Sequence, residues 1–256
     1  MKKINLNTLR KYKTDKEKIV CITVYDASFA ALLDEAEVDV FLVGDTLGMV
    51  IQGHDTTLPV EVDHIIYHTQ AVRRGSQRAF LIADMPFLSE INPDVALQTA
   101  GRLMKEGGAH MVKLEGGAAK LSVVEKLSNY GVPVCGHLGL LPQSINQLGA
   151  YKVQGKDEAS AKQILQDAKA LQAAGAEMLV LECVPQRLAA DITESLHIPV
   201  IGIGAGPHCD GQVLVLQDVL GLSTQLKPRF AKNFLIGKDS ILSAAQAFVS
   251  EVKSGK

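Results

Sequence analysis

Five short apolar runs in this sequence end on side chains that can do chemistry. VGD ends on Asp45 and IAD on Asp84. VKLEGG carries Lys113 and Glu115, VCGH ends on His137, and VLE ends on Glu182. A further run, IGIGAG, ends on bare glycines, Gly202, Gly204 and Gly206. Asp45, Asp84 and Glu115 are hard oxygen ligands with no thiolate among them. That donor set suits Mg²⁺ or another octahedral ion that keeps waters and binds substrate oxygens. Zinc fits less well. His64 and His68 have i, i+4 helical spacing, but HIIYH lacks the glutamate of H-E-x-x-H, so the pair reads as a helix face away from the site.

Each of these residues also has a plainer reading. Asp45 or Asp84 alone could cap a helix or form a turn. Glu115 before two glycines could be a solvated turn, and His137 a hydrogen-bonded core histidine. Lys113 and Glu182 are harder to dismiss, because both lie within apolar strands where an unpaired charge is costly. The agreement among the endings favours a shared site. Carboxylates gathered at one place need a cation, a proton or a lysine to coexist.

The elements that would gather them follow from the pattern. Apolar runs lie at residues 19–26, 38–45, 79–86, 110–117, 132–139, 177–185, 198–206 and 213–221. They are continuous rather than alternating, as strands buried on both faces should be. Amphipathic stretches lie between them. Pro93 opens one helix at its first position and Gly107 and Gly108 close it; 157–175 is another, and a third runs to the C-terminus. The expected fold is α/β, a (β/α)₈ TIM barrel forming a single domain over 1–256, preceded by a short extra helix between Asn5 and Lys18. In such a barrel all C-terminal strand ends meet at one rim. A doubly wound sheet, the alternative, would need fewer strands and an earlier glycine-rich turn. The long segment TLGMVIQGHDTTLPVEV after the second strand reads either as a lid or as a packed loop.

Composition narrows the function classes. The chain has 256 residues, a formal charge of −2 and no tryptophan, so no basic or aromatic surface suggests nucleic acid or a membrane face. The four cysteines form no C-x-x-C pair, as in reduced buried thiols. The N-terminal stretch has no apolar core of a secretory signal, and no run approaches a membrane span. A cytoplasmic location is expected.

The quoted endings, with VGDTLGMVIQGHDTTLPV, YHTQAVRRG, PVCGHLGLLPQS, YKVQGK, VLECVP, IPVIGIGAGPHCDGQVLVLQD and PRFAKNF, resemble the ketopantoate hydroxymethyltransferase family over residues from about 20 to 235. The resemblance implies a Mg²⁺-dependent one-carbon transfer. The unit would pass from 5,10-methylenetetrahydrofolate to 3-methyl-2-oxobutanoate, giving 2-dehydropantoate and tetrahydrofolate on the way to pantothenate. It implies Asp45 and Asp84 as metal ligands that also meet the substrate, and Glu115 as a further ligand, through water. It implies Lys113 and His137 as substrate contacts and Glu182 as the general base. Thr46 stands where the family commonly has serine, and either hydroxyl can bond the substrate carboxylate. The family also implies a homo-oligomer, a homodecamer.

Two other readings stand beside this one. A Mg²⁺-dependent lyase or mutase for phosphoenolpyruvate-like or isocitrate-like acids would also gather rim carboxylates. Such enzymes carry a K-[KR]-C-G-H-type loop, and Cys135-Gly136-His137 lacks its basic pair. A non-catalytic binding protein on the same fold would be expected to have lost a ligand, and none of the expected ligands is missing.

Overall fold

The structure, a computed structural model, describes residues 3–223, 228 and 230–255. Eight strands pair in sequence order, all parallel, into a closed barrel. They are β1 (Ile19–Thr23), β2 (Val40–Val43), β3 (Phe80–Asp84), β4 (Met111–Glu115), β5 (Val134–Gly139), β6 (Met178–Glu182), β7 (Val200–Ile203) and β8 (Gly211–Leu214).

Each continuous apolar run is two interleaved sets, because successive side chains of a strand point to opposite faces. One set fills the barrel interior: Ile19 and Cys21, Val40 and Leu42, Phe80 and Ile82, Met111, Cys135, Met178 and Val180. The other set, such as Val20, Phe41, Leu81, Val112 and Leu179, packs against the surrounding helices. Helices at Ala27–Glu35, Val62–Gly75, Pro93–Lys105, Leu121–Asn129, Glu158–Ala173 and Gln186–Ser195 follow β1 to β6 in turn. Pro93 does occupy the first helical position, with Asn92 capping the N–H groups of Asp94 and Val95.

The repeat departs from the expected pattern at its end. No helix lies between β7 and β8 among the described residues; 204–210 cross back as turns. The apolar run at 213–221 also divides. Its start belongs to β8, but Leu216–Val219 is a helical turn, and the strand begins earlier at Gly211. Gly211 pairs with Ile19, and a Cβ there would lie 2.3 Å from the Ile19 carbonyl oxygen, so only glycine admits that approach.

The helix Leu6–Asp15 lies where the extra N-terminal helix was expected, with Leu9 fully buried among the interior residues. At the strands' N-terminal side, buried Asp39 accepts from Val20 N, pairs with Arg78 at 2.8 Å and pairs with Lys253 of the C-terminal helix Ile241–Lys253 at 2.8 Å. That helix packs on β1 and on the helix at Ala27–Glu35. No helix among the described residues is long and apolar enough to cross a membrane.

Candidate active site

The period of two that fills the barrel interior also builds the site. In β3 the inward series Phe80, Ile82 continues to Asp84. In β4 Met111 leads to Lys113 and Glu115, in β5 Cys135 leads to His137, and in β6 Met178 and Val180 lead to Glu182. The register sets Lys113 beside Asp84 and His137 beside Glu115. Asp45 arrives from the loop after β2. Gly44 precedes it, and a Cβ on Gly44 would sit 3.2 Å from Asp84 Oδ2.

Asp45, Asp84, Lys113, Glu115 and His137 are all buried, while Glu182 keeps 16% of its side chain exposed. Lys113 Nζ lies 2.9 Å from Asp84 Oδ1 and 3.3 Å from His137 Nδ1. The backbone N–H of Asp45 donates to Asp84 Oδ2 at 2.9 Å. His137 stands between two carboxylates, Nδ1 at 3.3 Å from Glu115 and Nε2 at 3.2 Å from Glu182. Both approaches are ion-pair distances without hydrogen-bond alignment; Nδ1 has Lys113 Nζ within hydrogen-bond distance, whereas Nε2 is buried and unpartnered.

The electrostatics follow from four carboxylates facing one lysine and one histidine. Burial first, then repulsion from Asp84 and Glu115, pushes the Asp45 carboxyl well above its usual range. Burial also raises Asp84, against the opposing pull of Lys113. Burial disfavours the Lys113 ammonium, yet Asp84, Glu115 and Asp45 outweigh it and hold the lysine charged. For His137, burial and Lys113 work against the imidazolium, but Glu115 and Glu182 prevail and raise it to about 9. Glu115 is lowered despite burial, because the His137 ring and the Lys113 ammonium lie beside it and the Gln143 backbone N–H donates to it.

The structure therefore brings together Asp45, Asp84, Lys113, Glu115, His137 and Glu182. Thr46 follows Asp45 at the start of the short helix Leu47–Val50, and its hydroxyl makes no capping bond. His64 and His68 lie on the helix Val62–Gly75; His64 binds the Glu61 N–H and His68 Nδ1 the Tyr25 carbonyl. Cys135 is buried inside β5 rather than on a rim loop. The long loop after β2 folds back on itself, His54 N–H donating to the Gly48 carbonyl at 2.8 Å, and Gly48 and Thr57 are buried. Side chains of Cys209, Phe230 and Gln186 fill the space beside Gly202, Gly204 and Gly206, so these glycines serve close packing. Within the stretch PRFAKNF, Arg229 lies outside the described residues.

One residue of the site carried no signal of its own. Gln143, 7% exposed, donates through Nε2 to Asp45 Oδ2 at 2.8 Å and to the Met85 carbonyl at 3.0 Å, and through its backbone N–H to Glu115 Oε2 at 3.1 Å. A neutral amide in LLPQS shows no anomaly of charge or polarity; only its place directly after Pro142, four residues past the end of β5, could have drawn attention.

The donor set fits an oxygen-ligated divalent cation. Asp45 and Asp84 are adjacent, buried and both disfavoured as anions, and Asp84 Oδ1 has no aligned hydrogen-bond donor. Among the described residues no three His, Cys, Asp or Glu side chains form a complete metal cluster.

The fold and this rim define a parallel (β/α)-barrel enzyme with a carboxylate–lysine–histidine site at the C-terminal strand ends. Phosphonopyruvate hydrolase has the same fold at TM-score 0.64 and 12% identity, over 86% of this chain and 84% of its own. Phosphoenolpyruvate phosphomutase from Streptomyces platensis subsp. rosaceus matches at TM-score 0.64 and 12% identity, over 85% and 83%. The sequence profile of ketopantoate hydroxymethyltransferase matches residues 3–256, and the chain belongs to that family of transferases. It is 56% identical to 3-methyl-2-oxobutanoate hydroxymethyltransferase of Nitrosococcus oceani, over 100% of this chain and 97% of the relative. It is 55% identical to the protein of the same name from Shewanella loihica, over 100% and 96%.

Proposed function

We propose that the chain transfers a one-carbon unit from 5,10-methylenetetrahydrofolate to 3-methyl-2-oxobutanoate. With one water consumed, the products are 2-dehydropantoate and tetrahydrofolate, in the route to pantothenate and coenzyme A. The name shared by relatives above half identity supports the acceptor. The observation that carries the chemistry is a partly exposed carboxylate, Glu182, beside a buried array holding the charged Lys113.

Asp45 and Asp84 would hold Mg²⁺, with Glu115 reaching it through water. When bound, the ion supplies positive charge that stabilises negative charge growing on substrate oxygens. Lys113 adds a second fixed positive charge, held by Asp84 and unable to leave. The Thr46 hydroxyl, free of capping duty, binds the substrate carboxylate. Glu182 removes the C3 proton, and the charge on His137, set between Glu115 and Glu182, attracts that carboxylate. The carbanionic C3 then forms a bond to the folate methylene carbon as one of that carbon's two bonds to nitrogen breaks; water displaces the second nitrogen and supplies the product hydroxyl, and the C3 proton and one water proton end on the two folate nitrogens. The working protein is read as a cytoplasmic homodecamer, which sedimentation would check.

Proton NMR of 3-methyl-2-oxobutanoate in D₂O tests the reading. With protein and Mg²⁺, and without folate, the C3 proton signal is expected to disappear, and to persist when Mg²⁺ is omitted. Added methylenetetrahydrofolate should then yield 2-dehydropantoate. A C3 signal that persists under every metal and also with folate present would overturn the proposal.

A further inference from the structure

Gln143 bridges two of the buried carboxylates of the site, and it does so with two different groups. Its carboxamide serves Asp45 and its backbone N–H serves Glu115. Both hydrogens of Nε2 are spent, one on Asp45 Oδ2 and one on the Met85 carbonyl. Both partners are acceptors. A flipped amide would set its own oxygen against them, so the orientation follows from the chemistry. One Asp45 carboxylate oxygen is thereby tied down, while the Asp45 backbone is tied separately to Asp84.

The path that delivers Gln143 is equally constrained. β5 ends at Gly139 with φ +95°, and a Cβ there would lie 2.1 Å from the Glu182 carbonyl oxygen. Leu140 N–H donates to that same carbonyl at 2.8 Å and its side chain is buried. Pro142 then opens a tight turn at Pro142–Ser144, closed by Ser144 N–H on the Leu141 carbonyl. The turn leans on β6 at one end and inserts Gln143 among the carboxylates at the other.

We infer that Gln143 is a positioning residue for the divalent cation, fixing the Asp45 carboxylate in its ligating orientation and setting the ion's affinity. The inference rests on the reading of Asp45 and Asp84 as ion ligands. A residue that only pinned the loops after β3 and β5 together would affect stability and leave ion affinity alone. A residue that orients a ligand changes affinity, commonly by about 10–100-fold when it is removed.

The test uses Mn²⁺ as probe and full-length protein. The electron paramagnetic resonance signal of free Mn²⁺ is titrated against wild type, Gln143→Met, which keeps length and loses both donors, and Gln143→Asn, which keeps the amide and falls one methylene short. Circular dichroism selects the variants that fold. The expected result is a dissociation constant about 10–100-fold higher for each folded variant. Wild-type affinity in a folded variant, even one that melts earlier, overturns the inference. If wild type itself binds no Mn²⁺, the ion reading of Asp45 and Asp84 fails and this inference with it. If wild type binds and the variants bind weakly while no ketoacid proton exchanges, the inference stands and the substrate reading fails.

Discussion

His137 Nε2 lies 3.2 Å from a Glu182 carboxylate oxygen, while the opposite ring nitrogen lies 3.3 Å from Glu115. The imidazole is buried and its position is set by β5, so Glu182 has a fixed neighbour on one side and solvent on the other. Glu182→Gln keeps the size of the side chain and removes the proposed base. It should lower Mg²⁺-dependent C3 proton exchange by about 10²–10⁴-fold and leave Mn²⁺ affinity within a small factor of wild type. Exchange at the wild-type rate would assign the proton abstraction to another residue.

Burial and the charges of Asp84 and Glu115 oppose the ionisation of Asp45 in the absence of an ion. Asp45→Asn removes the Asp45 charge and can keep its oxygen facing Gln143. In EDTA the variant should therefore melt at or above the wild-type temperature. Wild type should gain about 2.7 kcal/mol at an Mg²⁺ concentration 100 times its Kd, and the variant should gain almost nothing. Differential scanning calorimetry with and without Mg²⁺ reads both effects; an equal gain in the variant would remove Asp45 from the ion site.

Gly139 and Gly131 separate backbone strain from close contact. Both have positive φ, but a Cβ on Gly131 meets nothing within 4 Å, whereas one on Gly139 overlaps the Glu182 carbonyl. Gly131→Ala should cost about 1–2 kcal/mol and leave turnover unchanged. Gly139→Ala adds a displacement of the β5–β6 edge to about the same strain, and turnover should fall with stability. Urea melts paired with exchange rates distinguish the two; equal behaviour would deny Gly139 its role in seating Glu182.

Lys253 closes the opposite end of the barrel. Burial disfavours its charge, but Asp39 and Glu17 outweigh that and raise its pKa. Its stabilising contribution is therefore complete below the unfolded lysine value of about 10.5 and is lost as pH rises beyond it. Lys253→Met should cost about 1–3 kcal/mol at pH 8, since Asp39 keeps only Arg78 and the Val20 N–H. Melting temperatures measured from pH 8 to 11.5 should converge for the two proteins at the alkaline end. A gap that stays constant would mean that the Lys253 charge does not contribute.

The strand endings were legible because a parallel barrel buries both faces of every strand. An apolar run that stops on Asp84, His137 or Glu182 must then be leaving the core, and the period of two already aimed Lys113 and Glu115 the same way. The barrel, the carboxylate-rich rim and the family follow from the residues alone. The start of β8 was not legible, because Gly211 and Gln212 are not apolar and the pairing with Ile19 and Val20 selects them. The missing helix between β7 and β8 was hidden for a similar reason. Nor could spacing say that His137 would touch both Glu115 and Glu182, since those contacts depend on register between three strands. Gln143 is the clearest case. It lies 98 residues from Asp45 along the chain, and only the turn after Gly139 brings its amide to that carboxylate. Local sequence records burial and periodicity; which polar atoms finally meet is decided by how separate strands and loops pack, a property that no single stretch of the chain contains.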